Sequence, residues 1–187
     1  MRNACSWFVS KTAFVVFSFV STGVWAGASH DGHEGHSSAQ AQMPIGQQGK
    51  AGEVTRTIEV DLFDNYFEPE QIAVSAGETI RFKLNNEGAL VHEFSLGTPA
   101  MHEASQDMMK MMVDHGVIQG GTLNRERMAM DMGNGHTMAH DDPGSVLLAP
   151  GETAELVWQF GQPTTLEFAC NVPGHYQAGM VGDVEFK

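Results

Sequence analysis

Cysteine is nearly absent from this chain, with two in 187 residues, Cys5 and Cys170. That excludes a miniprotein stapled by disulfides. Positive charge is also scarce: 10 Lys and Arg stand against 23 Asp and Glu, a formal net charge of −13. A chain this acidic has nothing to neutralise a run of phosphates, so nucleic acid is excluded as a partner. An anionic membrane surface is excluded on the same ground. The apolar run near the N-terminus, residues 12–24, falls short of the about 20 residues of a membrane-spanning helix. In place of these the chain has 12 Met and 9 His. Those residue types point to metal.

The N-terminus is read as separate from the fold. Arg2 and Lys11 flank a segment without acids, the apolar run follows, and Val24-Trp25-Ala26 and Ala26-Gly27-Ala28 offer small-residue cleavage sites. This is the layout of a secretory signal peptide over residues 1–26, cut after Ala26 or after Ala28. An uncleaved anchor is the alternative. Cleavage leaves no membrane attachment and removes Arg2, Lys11 and Cys5. Eight basic residues (10 less 2) then face 23 acids, a net charge of −15, and Cys170 remains alone. In an oxidising compartment a solitary cysteine is a buried inert thiol, an intermolecular bridge or a metal ligand. Its neighbours must decide.

Residues 27–52 lack core-forming periodicity and read as a flexible tail. Within it His30, His33 and His36 are spaced by three with Asp31 and Glu34 between them. Imidazoles so placed can wrap a borderline ion such as Cu(II), Ni(II) or Zn(II); the alternative is a solvated tail without a role.

From residue 53 the pattern turns to period two. Ile58, Val60 and Leu62 alternate with polar residues, as do Ile80, Phe82 and Leu84, then Leu156, Trp158 and Phe160, then Leu166, Phe168 and Cys170. Each set predicts a half-buried strand. Turn residues at Asp64-Asn65, Ala76-Gly77, Pro150-Gly151 and Gly161-Gln162-Pro163 separate them. The spacing predicts an all-β, antiparallel Greek-key sandwich over residues 53–187.

Residues 97–144 interrupt it without a strand pattern, and loops of that length are usually functional. A short helix is predicted over Ser105–His115, with Met101, Met108, Met112 and His115 on roughly one face. Those methionines either pack or bind metal, since Met fills irregular gaps well. Beyond them Met128, Met130 and Met132, then His136, Met138 and His140, are diluted by Gly and Asp and read as too sparse for a core. Thioethers with scattered imidazoles suit soft ions, Cu(I) or Ag(I). Both segments are candidates for auxiliary copper capture.

The densest chemistry lies in Cys170-Asn171-Val172-Pro173-Gly174-His175-Tyr176-Gln177-Ala178-Gly179-Met180, where thiol, imidazole and thioether recur at five-residue steps. Two imidazoles and a thiolate with a long axial thioether form the blue-copper arrangement. His92 is a candidate for the second imidazole.

On these residues the chain resembles the cupredoxins, the plastocyanin/azurin family. Phe67-Glu68-Pro69 with Ile72-Ala73-Val74, the stretch Ala76–Phe82, and Pro150-Gly151-Glu152-Thr153 are similar to its strands and turns. The resemblance covers about residues 54–187, less the insertion. It implies one type 1 copper held by His92, Cys170, His175 and Met180. Two departures stand out: Glu93 occupies the place after the first ligand where many small cupredoxins have Asn, and the gap from Cys170 to His175 is longer than in plastocyanin. The insertion and tail make the chain similar to exported cupredoxin-type proteins of bacterial copper tolerance. That implies a periplasmic copper-handling protein, a diffusible one-electron carrier with a redox partner being the alternative. An enzyme is not expected. One sandwich is too short for a multicopper oxidase, and no His-x-His element is present to build a trinuclear cluster.

Overall fold

Alternation of apolar and polar residues builds two five-stranded sheets, in a computed structural model that describes residues 45–130, 137–138 and 142–187. The first sheet holds β1 (Gly46–Gln48), β2 (Arg56–Phe63), β3 (Tyr66–Glu68), β5 (Thr79–Asn86) and β10 (Thr153–Phe160) in the order β1-β10-β5-β2-β3. The second holds β4 (Gln71–Val74), β6 (His92–Gly97), β9 (Ser145–Leu148), β11 (Leu166–Ala169) and β12 (Val181–Phe186) in the order β4-β12-β11-β6-β9. The expected all-β sandwich is there, with one refinement. Most pairs are antiparallel, but β2 runs parallel to β5 and β4 parallel to β12.

The inner faces meet in an aromatic cluster. Phe94 lies 5.2 Å from Phe82 and 5.5 Å from Phe168, and Phe168 lies 5.2 Å from Phe67. Such pairs contribute about 0.5–1.5 kcal/mol each beyond burial. The cluster also fixes function. Phe94 is two residues from His92 and Phe168 two before Cys170, so the period of two turns both donors towards the same interior as the rings.

Two boundaries move. The expected tail 27–52 is too long at its C-terminal end, because β1 pairs with β10 (Gly46↔Phe160, Gln48↔Trp158) and Ile45 is buried in the core. Three residues with one apolar neighbour are too short for a periodic signal; the ladder partner supplies the order. The helix also starts earlier than Ser105. It is α1 (Pro99–Asp114), with Pro99 in its first turn and the Thr98 hydroxyl accepting from the Met101 amide at 3.3 Å.

The faces of α1 differ from expectation too. His102, Met109 and Met112 are buried, while Met108 and Met111 are 39% and 43% exposed. The buried residues follow the helical stripe that begins at His102, and Met108 falls outside it. The insertion also contains strands: β7 (Ile118–Gln119) and β8 (Thr122–Leu123) form a hairpin around Gly120-Gly121, followed by α2 (Arg125–Met128). A Gly-Gly pair between short apolar runs is a local hairpin signal. Among the described residues, no helix is long and apolar enough to cross a membrane.

Candidate metal centre

Three strands and one loop bring the donors together. His92 opens β6, Cys170 follows β11 directly, and His175 and Met180 lie on the segment joining β11 to β12. The donor atoms of His92, Cys170 and His175 lie within 4.8 Å of one another. Cys170 Sγ is 3.3 Å from His175 Nδ1 and 4.0 Å from His92 Nδ1. The two rings are 5.0 Å apart at 52°. Both imidazoles therefore turn Nδ1 to the sulfur. Met180 is fully buried, and its backbone is bonded to both neighbours: Cys170 N donates to its carbonyl at 3.2 Å, and its own N donates to His175 O at 3.0 Å. Left-handed backbone at Gly174 (φ 92°) and Gly179 (φ 96°) makes the two sharp turns that this return needs.

Electrostatics suit a cation here. Burial pushes the Cys170 thiol up to about 12, against a bond from the Glu93 amide, which donates to Sγ at 3.3 Å. Burial also holds His92 and His175 below the usual imidazole range, so both offer neutral lone pairs. A desolvated thiol and two neutral imidazoles, with a buried thioether beside them, are a soft and borderline donor set that fits copper. When bound, copper supplies one-electron chemistry; the protein supplies the donors and keeps water from three of the four.

Residues that spacing alone did not single out hold these donors. Asp64 Oδ1 accepts from His92 Nε2 at 2.9 Å and from the amides of Ala89 and Leu90. With His92 kept neutral by burial, this is a hydrogen bond rather than an ion pair, and it lowers the Asp64 carboxyl. A carboxylate behind a ligating imidazole fixes its tautomer and raises its basicity. Asp64→Ala is expected to keep the fold and the colour but weaken Cu(II) binding by about 10–100-fold. Competition with a chelator of known affinity measures it, and parental affinity would show that Asp64 plays no such part.

Glu93, the departure from the usual Asn, does tie the ligand segments together. Its Oε2 accepts from Asn171 N at 3.0 Å and Asn171 Nδ2 at 2.8 Å, and Ser145 Oγ donates to Oε1. The link is thus made here by a carboxylate that only accepts.

The auxiliary candidates are placed only in part. Met130 and Met138 line a cleft of about 300 Å³ together with His115 and Arg127. Met138 is buried and Met128 packs against the core, so these two do contribute to packing, contrary to expectation. His30, His33, His36, Met132, His136 and His140 lie outside the described residues, as does the signal peptide.

The chain is similar to known copper proteins along most of its length. The chain is 46% identical over 173 residues to the copper-resistant cuproprotein CopI of Pseudomonas aeruginosa, covering 89% of this chain and 93% of that one. It is 38% identical to the protein of the same name from Rubrivivax gelatinosus, covering 90% and 91%. Among solved structures auracyanin B superposes with a TM-score of 0.55 at 20% identity, covering 79% of this chain and 99% of that one, a likeness of fold. Residues 54–187 match the copper-binding proteins of the plastocyanin/azurin family. With that match, the sandwich and the convergence of His92, Cys170 and His175, the chain belongs to the plastocyanin/azurin family of copper-binding proteins.

Proposed function

We propose that this is an exported, periplasmic copper-handling cupredoxin of copper tolerance. It binds copper at His92, Cys170, His175 and Met180, captures further ions on its His- and Met-rich segments, and passes the electron of Cu(I) to a redox partner protein. It is not an enzyme in this reading. The observation that carries it is the extent of likeness: copper-resistant cuproproteins match 89% and 90% of the chain, well beyond residues 54–187. A simple electron carrier needs only that domain.

A second reading, the diffusible carrier, is favoured by one feature. His175 is half-buried at a cleft of about 320 Å³ lined by Leu90, Val91, Val113, Val172 and Pro173, an apolar surround through which electrons could pass. Growth of a deletion strain across a copper series separates the two readings. Copper sensitivity with intact respiration supports tolerance, and the reverse supports the carrier.

Capture is tested by titrating Cu(I) and Cu(II) separately into full-length Cys170→Ser protein. Cu(II) is expected on His30, His33 and His36, and Cu(I) on Met128, Met130, Met132, His136, Met138 and His140. Binding by imidazole must weaken as pH falls through about 6.5, because the ligand must be neutral, whereas thioether binding hardly responds. The control replaces these His by Ala and these Met by Leu. Equal binding by control and parent would refute capture. Truncation is the poorer control if it passes residue 44, since Ile45 and β1 belong to the sandwich.

A further inference from the structure

Helix α1 of the insertion reaches the segment of the copper ligands through two side chains, His102 and Gln106. His102 is buried beneath α1, its ring 5.8 Å from that of Tyr176 and its edge against Gly97, where a Cβ would come within 3.0 Å of Nε2. Asn171, the residue after Cys170, stands between this ring and Glu93. Because Asn171 Nδ2 donates to Glu93 Oε2, its Oδ1 must face α1. There it meets His102 Nδ1 at 3.2 Å and Gln106 Nε2 at 3.2 Å. That orientation fixes the His102 tautomer: Nδ1 carries the proton and donates. Nε2 is then a bare acceptor, buried with no hydrogen-bond partner among the described residues.

An unpaired buried nitrogen opposes folding. Leucine would fill similar space without it, so what histidine adds at this place is the donor at Nδ1. That donor continues inward. Asn171 holds Glu93 at two points, and the Glu93 backbone amide donates to Cys170 Sγ at 3.3 Å. A hydrogen bond to the ligating sulfur withdraws electron density from it, one of the means by which such a centre is tuned.

We propose that His102 is a positioning residue of the copper centre: through Asn171 it fixes the Glu93 amide against Cys170 Sγ, so that the insertion sets the properties of the metal site. This rests on the copper reading of His92, Cys170 and His175. It adds that α1 is joined to that centre by hydrogen bonds through Asn171 to the Glu93 carboxylate and by Glu93 itself to its amide on Cys170, and does more than pack against β6.

The test compares His102→Leu, His102→Asn and Gln106→Ala in the full chain, with and without copper. In copper-free protein, the Glu93 amide of His102→Leu should exchange with solvent about fivefold to tenfold faster, the loss of roughly one hydrogen bond's worth of holding. In copper-loaded protein, the thiolate charge-transfer band should move and the reduction potential should fall. His102→Asn, whose side-chain N–H can take the place of Nδ1–H, should recover most of both. Gln106→Ala removes the second donor to Asn171 and should shift them less, in the same direction. Parental exchange, band and potential in His102→Leu, with only a lower Tm, would overturn the proposal and leave His102 a packing residue. If His102→Leu does not fold, Gln106→Ala decides, since unchanged exchange and potential there would equally overturn it. Absence of a charge-transfer band in the parent is a different failure: it would remove the copper reading, while the Glu93 exchange would still report whether His102 positions that amide.

Discussion

Cys170→Ser protein is expected to be colourless with Cu(II), whereas the parent shows an intense visible band from thiolate-to-copper charge transfer. The sandwich should remain folded. Serine is slightly smaller than cysteine, the Glu93 amide still meets an acceptor, and no disulfide is lost because Cys170 is a free thiol. The hydroxyl in that buried place costs about 1–3 kcal/mol if underpaired. A second readout needs no metal. The thiol titrates from 9.0 in an open chain and is pushed up to about 12 by burial, so the unfolded form gives up its proton first. Copper-free parent should therefore hold this part of its stability below about pH 9 and lose it as pH rises towards 12. Tyr176, pushed up to about 12 by its bond to Glu167, acts in the same sense in both proteins and cancels in the comparison. Urea midpoints measured across that window should fall more steeply for the parent than for Cys170→Ser. A coloured variant, or parallel alkaline curves, would count against this centre.

His175→Ala and Met180→Leu should part company. His175 Nδ1 lies 3.3 Å from Cys170 Sγ, so its removal takes away a primary donor and opens the cleft to water. Copper affinity should drop by more than the about 100-fold expected for losing an outer partner, and the visible spectrum should change in kind. Met180 is different, since a long axial thioether holds the metal weakly but adds electron density to it. Met180→Leu should keep copper to within about tenfold and raise the potential. Met180 is fully buried in the core cluster, and leucine nearly conserves its volume, for a stability change under about 1.5 kcal/mol. Voltammetry with metal analysis checks both, and equal copper loss in the two variants would deny Met180 an axial place.

The strands were legible because period two is written in single residues: Ile80, Phe82 and Leu84 declare their inward face, and each is buried. The donors were legible because Cys170, His175 and Met180 share one short segment. Their supports were not. Asp64 is 28 residues from His92, and Glu93 is 78 from Asn171; nothing local in a sequence marks an acid that turns towards an imidazole. His102 was hidden among methionines for a related reason. Its meaning comes from Asn171, 69 residues away, and not from its place on α1. The β1 segment is unreadable because its order comes from β10, while the hairpin at Gly120-Gly121 carries a local signal in its glycine pair.

The burial of the centre is lopsided. His92, Cys170 and Met180 have no exposed surface, and only His175 is half-buried. Tunnelling falls off steeply with distance, so in the copper reading an electron would enter or leave by the edge of one ring. The insertion frames that aperture: Val113 of α1 and Ile118–Gly120 of the hairpin share its rim with Leu90 and Pro173, and Gly120 O accepts from Val91 N at 2.9 Å, one residue before His92. A visitor shaped for a bare sandwich would meet this frame before it met the ring. In the copper reading, the insertion would thus narrow the approach to the one half-buried donor, and a redox partner would have to fit this rim as well as the sandwich.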